Sequence, residues 1–219
     1  MRVSQNSDTL EDNVYRQLRD MILNGDFVSG DKLVQEDLSA RLGVSRTPLR
    51  SAIAKLEGEG FVHMTSRSEA YVAEFGTPQI ADLFEMRAVL EGLICRLLAP
   101  TIEKKHVIYL RSLMTAAASA VETGDDEAYR LADVEFHTYL TNLMPQGKLS
   151  RLLDSVHAIM ALSLSQGILR LPSETHPEHL QIIDALDARD ADAAERLMIE
   201  HIRKTIVLLR KQVAEGREK

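Results

Sequence analysis

The chain has 219 residues and a net charge of -7, with 45% hydrophobic and 27% charged residues, a composition that excludes a disordered chain. It contains no run of about 18 apolar residues and begins with a polar stretch, so we expect no membrane span and no secretory signal, and hence a cytoplasmic protein. The net negative charge argues against a protein that binds nucleic acid nonspecifically along its length. The chain is long enough to form two hydrophobic cores.

Three short helical patterns are followed by two strand patterns in the first 76 residues. One-sided apolar spacing predicts two helices, Gly43 ends the second of them, and Ser45 is a suitable N-cap for a third. Two β-prone runs then predict a hairpin. The predicted helices cover residues 12–24, 34–42 and 45–58, and the strands cover 61–64 and 70–73. This order of elements predicts a winged helix-turn-helix domain over residues 1–76.

The remainder of the chain, 77–219, contains no convincing strand pattern. Gly76-Thr77-Pro78 interrupts the chain, and later Pro and Gly residues separate helical stretches at 79–99, 102–122, 126–144, 148–166, 174–188 and 190–214. About six helices of this length predict an all-α helical bundle. The single cysteine, Cys95, excludes an intramolecular disulfide, and we expect it to be a small buried side chain.

The third helix carries the pattern of a DNA-reading helix. In a helix-turn-helix, the N-terminal residues of the second motif helix face the base edges, and here they are Ser45, Arg46, Thr47 and Arg50. Arg46 and Arg50 share one face because they are four residues apart, and arginine suits both guanine and phosphate. Arg41, before the turn, and Arg67, at the wing tip, extend this basic face. The alternative is that these charges are simply solvated.

Residues 38–62, LSARLGVSRTPLRSAIAKLEGEGFV, resemble the DNA-binding signature of the GntR family of bacterial regulators. The similarity extends upstream through VYRQLRDMILNGDFVSGDKL and downstream to the wing. It implies that Arg46, Thr47 and Arg50 contact operator DNA. Two positions depart from the family pattern: Glu36 stands where some members have an arginine that touches DNA, and the wing tip, SRSEA, lacks the usual glycine.

Four residues of the second domain have the spacing of a divalent-metal site. Asp133 and His137 are four apart and project from one helix face, while His179 and His201 lie on the apolar stripes of two other helices. One carboxylate and three imidazoles suit Zn²⁺, Ni²⁺, Mn²⁺, Co²⁺ or Fe²⁺, with Zn²⁺ as the first choice, and leave coordination positions open. Each histidine alone would be read as an ordinary core or surface residue. The other four, His63, His106, His157 and His176, are left out of the site.

The run Asp-x-x-Phe-His, followed by two Glu-His pairs, resembles the metal-binding pattern of the FCD domain, the C-terminal domain of the fatty-acid-regulator branch of the GntR family. The resemblance spans about residues 79–212. It implies an antiparallel helical bundle with the metal inside an effector cavity. The helix count resembles the smaller, vanillate-regulator-like subgroup.

Arg87 lies on the apolar side of its helix, where an unpaired charge would be costly. Two interpretations remain open: an ion pair with Glu91 four residues on, or a clamp for the carboxylate of an effector.

Together these features predict a homodimeric transcription regulator that binds double-stranded operator DNA and responds to a small carboxylate at a metal-containing cavity. Repression is the first choice for the direction of control, and activation stays open. One alternative keeps the winged helix but makes the bundle a dimerisation module with a structural metal. A second alternative is a metal-dependent hydrolase, because Asp and His around an open metal can activate water. No general base accompanies the ligands, so we predict that the protein is not an enzyme.

Overall fold

The computed structural model describes residues 9–66, 69–163 and 170–214. The chain divides into two compact units, Met1–Phe75 with Ala158–Ser165, and Gly76–His157 with Gln166–Lys219. Within the described residues there are nine helices and three short strands, so the mainly helical fold class is confirmed. None of these helices is long and apolar enough to cross a membrane.

The first unit is a winged helix-turn-helix. Its elements are α1 (Leu10–Leu23), β1 (Lys32–Leu33), α2 (Gln35–Leu42), α3 (Arg46–Gly58), β2 (Val62–Ser66) and β3 (Glu69–Val72). The strands form one antiparallel sheet in the order β1-β3-β2. The sequence predicts a connection over residues 25–32, whereas the structure has β1 at Lys32–Leu33, because two residues are too few to show an alternating pattern.

Local chemistry sets the ends of these helices. The Thr9 side chain accepts a hydrogen bond from the Asp12 backbone N–H, and Asp12 reaches back to Thr9, which forms a capping box at the start of α1. Gly43 takes a left-handed conformation, φ 65°, and ends α2. The apolar side of α3, including Leu49 and Ile53, is buried in the core, so the opposite side of α3 faces outward.

The second unit contains α4 (Thr77–Leu98), α5 (Lys104–Thr123), α6 (Asp126–Asn142), α8 (Pro172–Asp187) and α9 (Ala191–Ala214), together with the part of α7 (Lys148–Ser163) that ends at His157. Each corresponds to one of the six predicted helices. The part of the fourth prediction beyond residue 163 lies outside the described residues.

Close packing between α4 and α9 shapes the interior of this unit. A Cβ atom on Gly92 of α4 would lie 2.6 Å from Cγ1 of Ile199 on α9, so only glycine allows this approach. α8 packs against both α9 and α5, and α6 packs against α5 and α4. The inward faces of α4, α6, α8 and α9 carry the buried polar residues Glu91, His137, His179 and His201.

Candidate metal centre and nucleic-acid interface

The outward face of α3 presents the residues predicted to read DNA. Arg46, Thr47 and Arg50 are exposed, while Pro48 and Leu49 between them are buried. Ser45 is the N-cap residue of α3 and is also exposed. The helix therefore packs on one side and leaves its N-terminal arginines available on the other, as a reading helix requires.

Acidic neighbours accompany two of the predicted DNA contacts. Nη2 of Arg46 lies 3.8 Å from Oε2 of Glu36, and both side chains are largely exposed. Nη2 of Arg41 donates to Oδ2 of Asp26 over 2.7 Å. Arg67 lies outside the described residues. DNA contact by the six predicted residues stays a prediction.

The four predicted metal ligands lie together. Asp133 and His137 come from α6, His179 from α8 and His201 from α9, and one ligand atom of each lies within 4.8 Å of those of the other three. The three histidines are buried, and Asp133 is partly exposed. Nε2 of His179 lies 3.4 Å from Oδ1 of Asp133. The four residues that the sequence singled out therefore lie together in the structure. Their binding of a metal stays a prediction.

Two nitrogen atoms at this centre lack hydrogen-bond partners. Nε2 of His137 and Nε2 of His179 are fully buried, and no described residue bonds either of them. Leaving a buried polar atom unpartnered costs about 1–3 kcal/mol, so such atoms are rare without a bound ion or water. A divalent ion would satisfy both nitrogens, and the donor set therefore fits a metal ion.

The other ring nitrogen of each histidine is held by a neighbour. Nδ1 of His137 bonds the carboxylate of Glu91, and Nδ1 of His201 bonds Oε2 of Glu178 over 2.7 Å. Nδ1 of His179 lies 3.3 Å from the hydroxyl of Tyr129. Such contacts orient metal-binding imidazoles and reserve Nε2 for the ion.

Burial also sets the protonation of this centre. Burial, together with the nearby charge of Arg87, lowers the pKa of His137 from 6.5 to about 4, although the Glu91 carboxylate opposes this shift. Burial likewise holds the pKa of His179 well below its ordinary value. Both imidazoles are therefore neutral at neutral pH, which is the form that ligates metals. For Glu91, burial would raise the pKa, but Arg87 and His137 outweigh it and hold that pKa well below the usual range.

Glu91 borders the candidate metal centre, and the sequence pointed to it only as a partner for Arg87. Its carboxylate accepts from Nε of Arg87 over 2.5 Å, so the ion-pair interpretation of Arg87 is present in the structure. Nε2 of His157 lies 2.8 Å from Oε1 of Glu91, the oxygen that also accepts from Arg87. His157, which we left out of the site, thus belongs to the surroundings of the metal centre. No sequence signal joined Glu91 to His137, because 46 residues separate them.

Glu178 organises the opposite side of the centre and was also missed. Arg170 donates to both of its carboxylate oxygens, over 2.8 and 2.9 Å, and Nζ of Lys204 donates over 2.6 Å. These cations hold the pKa of Glu178 below its usual range, although burial by itself would raise it. The carboxylate that orients His201 is therefore fixed and ionised.

Comparisons with known proteins match both units. Residues 10–72 match the family model described as bacterial regulatory proteins, gntR family, and residues 82–204 match the FCD domain. The chain is 26% identical to the uncharacterized HTH-type transcriptional regulator YdhC of Bacillus subtilis, over 93% of this chain and 92% of that protein. It is 26% identical to the HTH-type transcriptional repressor RspR of Escherichia coli, over 87% of this chain and 85% of that protein. The solved structure of E. coli McbR/YncC has the same fold, with a TM-score of 0.69 and 22% identity over 94% of this chain and 99% of that chain.

Proposed function

The chain belongs to the GntR family of bacterial regulatory proteins and carries an FCD domain, and on this premise we propose that a small organic acid, bound beside a divalent metal ion in the second unit, controls its binding to operator DNA. The family consists of transcriptional regulators, so the chain is a DNA-binding regulator rather than an enzyme. The similarity to RspR, named a repressor, supports repression as the direction of control.

The observation that carries the proposal is the pair of buried, unpartnered Nε2 atoms of His137 and His179, in a cluster with Asp133 and His201 in which one ligand atom of each residue lies within 4.8 Å of the others. Asp133 and the three histidines would hold the ion. A bound divalent ion supplies positive charge and open coordination positions that carboxylate oxygens can occupy. We name Zn²⁺ first because histidine nitrogens and a carboxylate are its common ligands.

Two cationic or polar side chains next to the centre suit a carboxylate ligand. Arg87 uses Nε on Glu91, and its two Nη groups carry four further N–H donors in a fork that matches a carboxylate. His157 also bonds Glu91 and is 20% exposed, so its ring borders the same region. These residues orient the acid, while Glu91 keeps the Arg87 charge paired before the acid binds.

On the DNA side, two copies of the chain would present two α3 helices to a two-fold operator. Arg46, Thr47 and Arg50 would contact the bases and the backbone there, assisted by Arg41, Ser45 and the wing residue Arg67. For the acid to change this fit, it must bind one arrangement of the dimer more tightly than the other, since equal affinity for both shifts nothing.

The test combines metal content with operator affinity. Operator sequences are first selected from a random duplex pool with the wild-type protein, and metal content is measured by mass spectrometry. Fluorescence anisotropy then gives operator affinity across a panel of small carboxylates, with and without chelator. We expect one acid class to weaken operator binding at least tenfold, and chelation to remove that effect.

His179→Ala and the matched control His106→Ala complete the design, because His106 lies on α5 outside the ligand cluster. His179→Ala should lose both the metal and the acid response, and His106→Ala should keep both. If chelation lowers the melting temperature but no acid changes operator affinity, the bundle is a dimerisation module with a structural metal and the proposal is wrong.

A further inference from the structure

Two helix starts of the first unit lie next to each other at its surface. α3 begins at Arg46, and α2 begins at Gln35 with Glu36 in its first turn. Oε2 of Glu36 lies 3.8 Å from Nη2 of Arg46, and the two side chains are 82% and 70% exposed. A DNA duplex that reaches Arg46 therefore also reaches the carboxylate of Glu36.

Packing in the interior fixes the relative position of these two helix starts. α2 packs against α3, and Leu38 of α2 and Leu49 of α3 are both buried. The chain passes from one helix to the other through Gly43, whose left-handed conformation ends α2. Glu36 is therefore held at a constant place on the surface, beside the N-terminus of the predicted reading helix.

A carboxylate at this place cannot do what the neighbouring arginines do. Arg46 and Arg50 carry N–H donors, which suit the acceptors of phosphate and of guanine. An ionised carboxylate only accepts hydrogen bonds, and phosphate oxygens do the same. Glu36 thus gains no bond from the DNA backbone, and its charge opposes the phosphates.

The major groove offers a carboxylate two kinds of donor, the N4 amino group of cytosine and the N6 amino group of adenine. Guanine and thymine present acceptors there, so a carboxylate rejects both. Adenine sets the N7 acceptor beside its amino group, and this acceptor would face the second carboxylate oxygen. Cytosine is therefore the base that suits Glu36 best.

The start of α2 does not need Glu36 for its own stability. An acidic residue in the first turn of a helix is favourable because it faces the positive end of the helix dipole. Asp37 occupies the same turn and is also exposed, so it supplies this interaction without Glu36. An exposed ion pair such as that of Glu36 with Arg46 also adds little to folding. Both side chains can accordingly turn toward bases when DNA binds.

We propose that Glu36 reads the operator and selects a cytosine in each half-site, next to the base that Arg46 contacts. The inference rests on the operator binding of the proposed function. It adds that an acid and a base, adjacent on the surface, read adjacent base pairs. Arg46 supplies donors for a guanine, and Glu36 supplies an acceptor for the amino group of a cytosine.

Selection from a random duplex pool tests this assignment, with the wild type, Glu36→Gln, Glu36→Ala and the matched control Asp37→Asn. A glutamine side chain both donates and accepts, and it pairs with N6 and N7 of adenine. We expect Glu36→Gln to change one position of each half-site from cytosine to adenine. Glu36→Ala should accept every base at that position. Asp37→Asn removes the same charge one residue away and should keep the cytosine.

Operator affinity gives a second measurement. Fluorescence anisotropy compares the selected duplex with one in which this cytosine is replaced by adenine. The wild type should bind the cytosine duplex at least tenfold more tightly, and Glu36→Gln should show the opposite preference. Glu36→Ala should bind the two duplexes within twofold of each other. Glu36 is largely exposed, so these variants should stay folded, and thermal unfolding checks this.

The outcomes separate this inference from the proposed function. If both Glu36 variants select the wild-type sequence, or bind every duplex more tightly by one common factor, the carboxylate only repels phosphate and the inference is overturned. Operator binding and acid sensing would then stand. A wild-type protein that selects no sequence overturns operator reading as well. A base change at one position of each half-site, with the acid response intact, supports both proposals.

Discussion

Glu91→Gln is the substitution that most directly tests how the metal centre is held. The change keeps the size of the side chain but removes the negative charge that Arg87, His137 and His157 share. The Arg87 side chain is only 12% exposed, so its charge would be left without its buried partner. Breaking a buried ion pair in this way costs about 3–5 kcal/mol of folding free energy.

The effect on metal binding follows from the same contacts. In place of the carboxylate that fixes the ring and raises its basicity, Nδ1 of His137 then meets a neutral amide, whose oxygen is a weaker acceptor. Loss of such an outer contact typically lowers metal affinity about 10–100-fold, which corresponds to about 1.4–2.7 kcal/mol. We therefore expect a weaker metal site in Glu91→Gln, measured by competition with a chromophoric chelator, and a less stable apoprotein, measured by urea unfolding.

Glu85→Gln provides the control on the same helix. Glu85 pairs with Arg203 at the surface, where the two side chains are 36% and 52% exposed. Its loss should cost at most about 1 kcal/mol and should not change metal affinity. If Glu91→Gln is destabilised as expected but binds metal with wild-type affinity, the role that we assign to Glu91 in positioning His137 is refuted.

Three further outcomes are expected. Arg46→Ala should lower operator affinity by about 1–3 kcal/mol, measured by anisotropy at fixed salt, because Arg46 stands at the exposed N-terminus of α3. Gly92→Ala should destabilise the fold by about 1–3 kcal/mol in urea unfolding, because its Cβ would meet Ile199. The hydrogen bonds from Lys55 and Thr9 lower the pKa of Asp12 to about 2, from 3.8, so the stability they contribute is present above about pH 4 and is lost as the pH falls toward 2. The difference in stability between wild type and Asp12→Asn should shrink over that interval.

Controls for these substitutions come from the same structure. Arg130→Ala removes a surface arginine of α6 that pairs with Glu127 and should leave operator affinity unchanged. Gly58→Ala adds a Cβ at the end of α3 where no atom lies within 4 Å, and it should be neutral or stabilising. An Arg46→Ala protein with wild-type affinity, a Gly92→Ala protein as stable as Gly58→Ala, or a constant Asp12→Asn difference from pH 5 to 2 would each contradict the corresponding reasoning.

Features encoded by neighbouring residues could be predicted from the sequence. The start of α3 could be predicted to within one residue because Pro48 in the first turn and the apolar stripe act locally; Ser45 occupies the N-cap position, although its side chain makes no capping hydrogen bond. The ligand cluster could be anticipated because Asp133 and His137 share a helix face at a spacing of four, and because His179 and His201 lie on apolar stripes that must point inward. The resemblance to a known family added the order of the two domains.

Other features depended on contacts between distant parts of the chain. β1 exists because Lys32 and Leu33 pair with β3, which no pattern in two residues can show. The roles of Glu91 and Glu178 depend on which histidines the packed helices bring to them, and the need for Gly92 depends on how closely α9 approaches. The sequence shows that α4 carries apolar residues on two sides, but it does not show which side is buried. The packed unit decides this, because periodicity is a property of one helix and burial is a property of the assembled helices.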